Sequence, residues 1–281
     1  MAGILYVVGT PIGNLGDMSQ RAVQVLEDVD FIAAEDTRVT VKLLNHFGIK
    51  KPMISYFEHN KRERGEIICD RIQQGESCAI VTDAGMPCIS DPGEELVRQC
   101  REKSIETAVV PGPSAVVSAL ALSGLPTGRF TFEGFLSMNK KSRRDHLQEI
   151  HDEQRTMIFY EAPHKLQATL EDMYSALGDR QIAIIRELTK IHEEVISTTL
   201  GRAVVQFAQT PLKGEIVLVI HGAEKPQPVE FTQEQAIEIA QAYINGGMST
   251  SEACKTAAKE TGIKKGIIYK ILSEKSDDND L

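Results

Sequence analysis

No apolar run among the 281 residues approaches the roughly 20 needed to cross a bilayer as a helix. The opening Met1-Ala2-Gly3 leads straight into a strand-like run, with no basic region and no cleavage site. No membrane partner is expected, and the cytoplasm is the expected location. Cysteine is sparse and scattered. Cys69, Cys78, Cys88, Cys100 and Cys254 contain no pair at the short spacing of a zinc or redox motif, so reduced structural thiols and no metal site are expected. Positive charge is also in deficit. The net charge of −9 argues, as a sum, against a nucleic-acid partner. Two nucleotide signatures are missing as well. Gly9-Thr10-Pro11-Ile12-Gly13-Asn14 lacks the three-glycine spacing of a dinucleotide fingerprint, and no Gly-Lys-Ser/Thr of a phosphate loop follows it. There is no internal repeat, and no low-complexity tract beyond the acidic end Asp277-Asp278-Asn279-Asp280.

What is present is alternation. Short apolar segments bounded by Gly, Pro, Asp or Asn predict strands at 4–8, 31–34, 53–56, 78–82 and 107–110. Amphipathic stretches at 19–26, 39–47, 62–73 and 94–102 predict the helices between them, and alternation of this kind implies a parallel sheet. A second set of strands is predicted at 130–135, 156–160, 181–186, 194–199 and 215–220, with helices at 143–151, 165–177 and 203–208. Several of those strands follow one another by short links, which implies a mixed sheet. The predicted organisation is an α/β domain over 1–124, a second over 125–222, a Pro-containing linker over 223–230, a helical module over 231–273 and a disordered acidic tail over 274–281. Within the module, Ser251–Glu260 and Lys264–Leu272 around Gly262 resemble a helix–turn–helix pair.

The unusual residues gather at the predicted carboxyl ends of the first-sheet strands, where open α/β sheets bind ligands. They are the Gly9–Asn14 segment, Glu35-Asp36-Thr37-Arg38, the long loop Asp83–Gly93, and Pro111-Gly112-Pro113-Ser114-Ala115. Each also has a plain structural reading. The first is an ordinary strand-to-helix turn, Asp91 precedes a helix start, and Ser114 is an N-cap. The sum of charges hides basic clusters at Lys61-Arg62-Arg64, at Lys140-Lys141-Arg143-Arg144, and at Lys255, Lys259, Lys264, Lys265 and Lys270. For any one of them alone, a solvated helix face is the favoured reading.

These segments carry a resemblance. Val8–Leu15, Ala34–Arg38, Ser55–Asn60, Thr82–Gly93, Val110–Ala115, Phe159–Lys165 and Arg186–Lys190 resemble, in order, the motifs of the tetrapyrrole-methylase superfamily, from about Gly3 to Gly222. Asp36-Thr37-Arg38, His59-Asn60 and Pro163-His164-Lys165 are similar to its ribosomal RNA small-subunit methyltransferase I branch. The resemblance implies two α/β domains of tetrapyrrole-methylase type with a cofactor cleft between them, plus a small C-terminal helical module. It implies S-adenosylmethionine as cofactor, a homodimer, and as acceptor the ribose 2′-hydroxyl of a decoding-region cytidine in small-subunit (16S) ribosomal RNA, naked or in the assembled subunit. Carried over to this chain, the cofactor positions are Pro11, Asp83, Gly85, Ile89, Ser90, Ser114, Ala115, Tyr160 and Gly214.

Deprotonating a ribose hydroxyl calls for a carboxylate or histidine. The catalytic candidates are Glu161 and Asp36, placed first because both follow strand ends, then Glu35 and His59, with Asp83 also at the cleft. An ion pair with Arg38 or a helix cap is the plain reading of Glu35 and Asp36, and a structural histidine that of His59. Phosphate contacts are expected from Arg38, Asn60, Lys140, Lys141, Arg143, Arg144, Lys165, Lys264 and Lys265. Tyr56 and Phe57 are candidates to stack on a splayed base, with core packing the favoured reading of Phe57. Two competing readings are a small-molecule tetrapyrrole methylase, which calls for a roomy apolar trough, and a non-catalytic ribosome-binding factor.

Overall fold

A computed structural model describes residues 3–224 and 231–277, with side chains through Ser273. The chain divides into two compact units, with the boundary between Glu224 and Lys225. Residues 225–230 of the expected linker and 278–281 of the expected tail lie outside the described residues.

The first unit opens with five βα repeats: β1 Ile4–Val8, α1 Gln20–Asp28, β2 Phe31–Ala34, α2 Thr37–His46, β3 Met53–Ser55, α3 Lys61–Gln73, β4 Cys78–Val81, α4 Gly93–Glu102, β5 Glu106–Val110 and α5 Ala115–Leu122. All five strands are parallel, in the order β3-β2-β4-β1-β5. The central strands β2 and β4 are buried at every residue, as expected of a parallel sheet covered on both faces. Leu5, Phe31, Ala33 and Ile80 face Ile68, Ile72 and Leu96 of α3 and α4. Val8, Ile32, Ala34 and Val81 face Ala22, Leu26 and Leu44 of α1 and α2. The connections leaving the neighbouring strands β1 and β4 run in opposite directions along the sheet, the arrangement that opens a ligand crevice beyond strand ends.

The second half follows with β6 Phe130–Phe135, α6 Lys140–Glu149, β7 Thr156–Glu161, α7 Leu166–Leu177, β8 Gln181–Arg186, β9 Glu194–Thr199, α8 Leu200–Gln209 and β10 Ile216–Ile220. Its sheet, β6-β7-β10-β8-β9, is mixed: only the β6–β7 pair is parallel. One face packs on α7 and α8 through Met157, Phe159, Ile184 and Leu218. The other face, with Ile158, Ile185, Val217 and Val219, is covered by Val116, Ala119 and Leu120 of α5. A helix of the first half thus closes the core of the second and joins the two in one unit. Helix α6 starts three residues before the sequence-based expectation, because Asn139 caps it by accepting from the Lys141 and Ser142 N–H groups.

The second unit holds α9 Gln233–Asn245, α10 Thr250–Thr261 and α11 Lys265–Asp277. A Thr232–Gln235 capping box starts α9, and Gly262 in the left-handed conformation ends α10. Ala240, Cys254, Ala257, Ile268 and Leu272 form its core. Helix α11 runs to Asp277, into the segment expected to be tail. No helix among the described residues is long and apolar enough to cross a membrane.

Candidate active site

A cavity of about 420 Å³ opens where the two sheets of the first unit meet, within the size range of small-molecule sites. One wall comes from segments beyond the carboxyl ends of the first sheet: Ile12 after β1, Glu35 after β2, Thr82–Ala84 and Ile89–Asp91 after β4, and Ala115 at the start of α5. The other comes from Phe135, Tyr160–Pro163, Ile185, Leu188 and Glu215–Val217. Strand β10 runs antiparallel to both β7 and β8, with Ile216 opposite Glu161 and Arg186. Its start therefore meets their ends at the cavity.

The β4 loop is held in an uncommon shape. Cys88 (φ 74°) and Ser90 (φ 66°) occupy the left-handed region, which costs a non-glycine residue roughly 1–3 kcal/mol. Asp91 offsets this. Its Oδ1 accepts from the Cys88 and Gly93 N–H groups at 2.8 and 2.9 Å, and its Oδ2 from Ile89 N–H at 3.3 Å. Burial nonetheless pushes the Asp91 carboxyl upward. The same loop is stitched to the β1 loop by two backbone bonds, Thr10 N–H to Gly85 O (2.9 Å) and Gly85 N–H to Thr10 O (3.1 Å). Gly85 sits at φ +91°, and a Cβ there stands 3.3 Å from Ile12 Cγ2. Its glycine is required by the backbone and by Ile12; Gly85 itself does not line the cavity.

Carboxylates dominate the polar lining. Glu35 accepts from Thr82 Oγ1 (2.5 Å) and from Asp83 N–H (3.4 Å). Asp83 accepts from Asp36 N–H at 3.2 Å. Burial, and then the Glu35 charge, push the Asp83 carboxyl above its ordinary range. Glu161 is 6% exposed and accepts from Thr169 Oγ1 (2.5 Å) and Ala162 N–H (2.7 Å).

The structure brings together Asp83, Ile89, Ser90, Ala115, Tyr160, Glu35 and Glu161 of the expected site residues. It corrects others. Asp36 does not line the cavity. It pairs with Arg38 at 2.6 Å, whose hydrogen bonds hold its carboxyl at about 2, which makes it a poor proton acceptor. His59 lies outside the cavity on the exposed segment after β3. Pro11 stands beside the lining residue Ile12, and Ser114 lines a separate groove with Val7, Met86 and Val97. Gly214 (φ +91°) packs against the Glu187 side chain, next to the lining residue Glu215. The two aromatic residues after β3 exchange their expected places. Tyr56 is 1% exposed in the core, and Phe57 is 38% exposed against His59.

Among the expected RNA contacts, Asn60 is spent on its own turn, accepting from Phe57 N–H and donating to Ser55 O. Arg143 is a core anchor. Its guanidinium holds the buried Asp172 at 2.6 and 2.9 Å, while Arg144 reaches Asp172 at 3.1 Å from an exposed position. Lys140, Lys141 and Arg38 are exposed, and Lys165 makes no ion pair among the described residues. In the second unit Lys264 is exposed and Lys265 donates to Ser251 Oγ at 2.9 Å. Sequence reasoning missed Phe135 and Glu215. Glu215 had a signal in the Gly214 beside it, and Phe135 in Gly134 within a strand.

The model of the tetrapyrrole (corrin/porphyrin) methylases matches residues 4–204. Ribosomal RNA small subunit methyltransferase I of Synechocystis sp. is 46% identical over 97% of this chain and 98% of its own length. The protein of the same name from Escherichia coli O157:H7 is 42% identical over 97% and 95%. Among solved structures, uroporphyrin-III-C-methyltransferase from Thermus thermophilus aligns with TM-score 0.56 at 17% identity, over 78% of this chain and 94% of that one. Diphthine synthase aligns with TM-score 0.57 at 14% identity, over 78% and 89%. Likeness at that level shows the shared fold. The chain belongs to the tetrapyrrole methylase family and, within it, to the ribosomal RNA small subunit methyltransferase I family. It is a methyltransferase that uses S-adenosylmethionine.

The cavity fits that cofactor. Five carboxylates and, among the described residues, no lysine or arginine line it, which suits a molecule carrying a sulfonium and an ammonium. Ile12, Ile89, Ala115, Leu188 and Val217 supply apolar surface for a flat base.

Proposed function

We propose that this chain methylates the ribose 2′-hydroxyl of a cytidine in the decoding region of small-subunit (16S) ribosomal RNA. The observation that carries the reading is the carboxylate-lined cavity at the junction of the two sheets, in a chain whose near full-length relatives bear a ribosomal RNA methyltransferase name. The Ile89-Ser90 turn, Ala115 and Tyr160 hold the cofactor, with Gly85, Pro11 and Gly214 shaping the loops that do so. When bound, S-adenosylmethionine supplies an activated methyl group, so positioning provides much of the rate. The chain's own task is to orient the acceptor hydroxyl and accept its proton. Asp83 lines the cavity beyond the end of β4, and its raised affinity for a proton suits it to be the general base. Glu35 sustains the shift by its charge. Glu161, tied to Thr169, positions the far wall.

Lys140, Lys141, Arg38 and Lys165 contact phosphates around the cleft, and Lys255, Lys259, Lys264 and Lys265 of the helical unit help dock the ribosomal substrate. The reading includes a cytoplasmic location and a homodimer. The dimer is supported by Val109 on the edge strand β5 and by Val117 and Leu122 on α5, all about half exposed. The test is a map of ribose methylation in small-subunit rRNA from cells lacking the gene. One decoding-region methyl group should vanish, return with the wild-type gene, and stay absent with Asp83→Asn. An unchanged map refutes the assignment.

A further inference from the structure

Phe135 stands in the cleft wall with 58% of its surface exposed. Side chains along a regular strand alternate, so residues three apart face opposite ways. Phe132 and Phe135 break that rule. Pairing with β7 runs Phe132–Ile158, then Gly134–Phe159, then Phe135–Tyr160. One extra residue is therefore inserted into β6, with Gly134 at φ +65°. A bulge of this kind re-aims the side chain that follows it. As a result both rings lie against Tyr160, at centroid distances of 5.0 and 5.3 Å. Phe132 is partly buried beside it, while Phe135 leans at 58° and stays open to the cavity. Tyr160 braces the Phe135 ring without stacking over it.

A nucleotide that leaves its helix to reach an active site loses its stacking neighbours, and an exposed ring face replaces them. The aromatics after β3 do not serve here, since Tyr56 is buried and Phe57 lies off the cavity. The carboxylates Glu35 and Asp83 occupy the opposite wall. We propose that Phe135 is the platform on which the acceptor nucleobase stacks, with the ribose hydroxyl directed across the cleft toward Asp83. A bare ring face has no hydrogen-bond readout, so the platform fixes the position of the base and leaves its identity to other contacts. The proposal rests on the reading of the acceptor as a ribosomal RNA nucleotide.

The test compares Phe135→Ala, Phe135→Leu and Phe135→Tyr in the full chain. The substrate is small ribosomal subunits isolated from cells lacking the gene, assayed at saturating cofactor, with S-adenosylmethionine affinity measured by calorimetry. The side chain is exposed, so all three variants should melt like wild type. With stacking at roughly 1–3 kcal/mol per base, Ala and Leu should lower kcat/KM for subunits by about 5- to 150-fold. Tyr should stay near wild type, and cofactor affinity should be unchanged in all three. Leu behaving like Tyr would overturn the proposal, because apolar bulk would then suffice. A parallel loss of cofactor affinity would assign the ring to the cofactor instead. Full activity of Phe135→Ala would overturn the platform alone, whereas an inactive wild type on unmodified subunits would overturn the acceptor reading and the platform with it.

Discussion

Consider the replacement of Arg143 by alanine. The Asp172 side chain is 7% exposed and Arg143 is 12% exposed, against 59% for Arg144. Burial raises the cost of the Asp172 charge, but the hydrogen bonds and charges of the two arginines outweigh it and hold the carboxyl below its ordinary range. Removing one partner of a buried pair strands the other charge and typically costs ~3–5 kcal/mol. Here Arg144 keeps one bond, so Arg143→Ala should cost near the low end, about 3 kcal/mol. Arg144→Ala removes an exposed, single contact and should cost no more than ~1 kcal/mol. For a unit of this size 1 kcal/mol moves the melting point by roughly 2–4 °C, so Arg143→Ala should melt about 6–12 °C lower and Arg144→Ala within a few degrees of wild type. Asp172 has a depressed folded-state pKa, so the stability it supplies is present above the unfolded carboxylate pKa and is lost as the pH falls through the folded one. The gap between wild type and Arg143→Ala should accordingly shrink in acid. Scanning calorimetry at neutral and acidic pH measures this, and equal, small shifts for the two arginine variants would refute the buried-anchor argument.

Lys140→Ala with Lys141→Ala should flatten the salt dependence of RNA binding without touching cofactor affinity, since fewer counterions are then released; an unchanged slope makes these lysines a solvated face. The Asp83 carboxyl is raised by burial and by Glu35. Its favourable contribution to stability is full below the unfolded carboxylate pKa and lost as the pH rises through the folded one. In Asp83→Asn that pH dependence should disappear and methyl transfer should be lost, and wild-type activity should fall as the pH drops into the raised carboxylate range; an active Asp83→Asn variant dismisses Asp83 as the base. Gly85→Val should lose roughly 1–3 kcal/mol or more from the positive φ alone and should weaken cofactor binding by driving Ile12 into the cavity; a folded variant with wild-type affinity in calorimetry counts against this. Truncation after Glu224 keeps the Ala223 N–H bond to Glu153 O (2.6 Å). That protein should bind cofactor normally yet methylate subunits poorly, and full methylation would make the helical unit dispensable.

What the sequence makes legible follows from how local each signal is. Strand and helix positions were readable because caps, Gly and Pro punctuate a clear alternation. Ser19 and Thr232 begin helices where short polar side chains satisfy free N–H groups, whereas the Asn139 cap, ahead of the expected start of α6, went unread. The loop 83–93 was recognisable as a site because its turn residues serve no regular element, and Asp91 does the turn-holding work its place before a helix implies. Side chains whose role depends on distant partners were not readable. Nothing local distinguishes Arg143 from Arg144, yet Asp172, on a helix 29 and 28 residues beyond them, buries one and leaves the other in solvent. Asp36 offered a carboxylate at a strand end, but Arg38 two residues later removes its basicity.

Phe135 marks the limit more sharply, because there the local rule gives the wrong answer. Strict alternation in Phe130–Phe135 puts Phe132 and Phe135 on opposite faces. If Phe132 packs inward, Phe135 is then a surface residue of no interest. The register shift between Phe132 and Gly134 reverses that conclusion, and it is visible only in the pairing with β7. The sequence does hold one trace of it, a glycine inside an otherwise β-forming run, where it weakens the strand and earns no packing in return. Such a residue is best explained by a backbone that must adopt a positive φ, as Gly134 does at +65°. In this chain Gly134 beside the cleft and Cys88 and Ser90 within the β4 loop break local rules where they shape the cavity, while Ser104 does so in the plain turn between α4 and β5. That is the physical expectation where function, and not stability, has set the backbone.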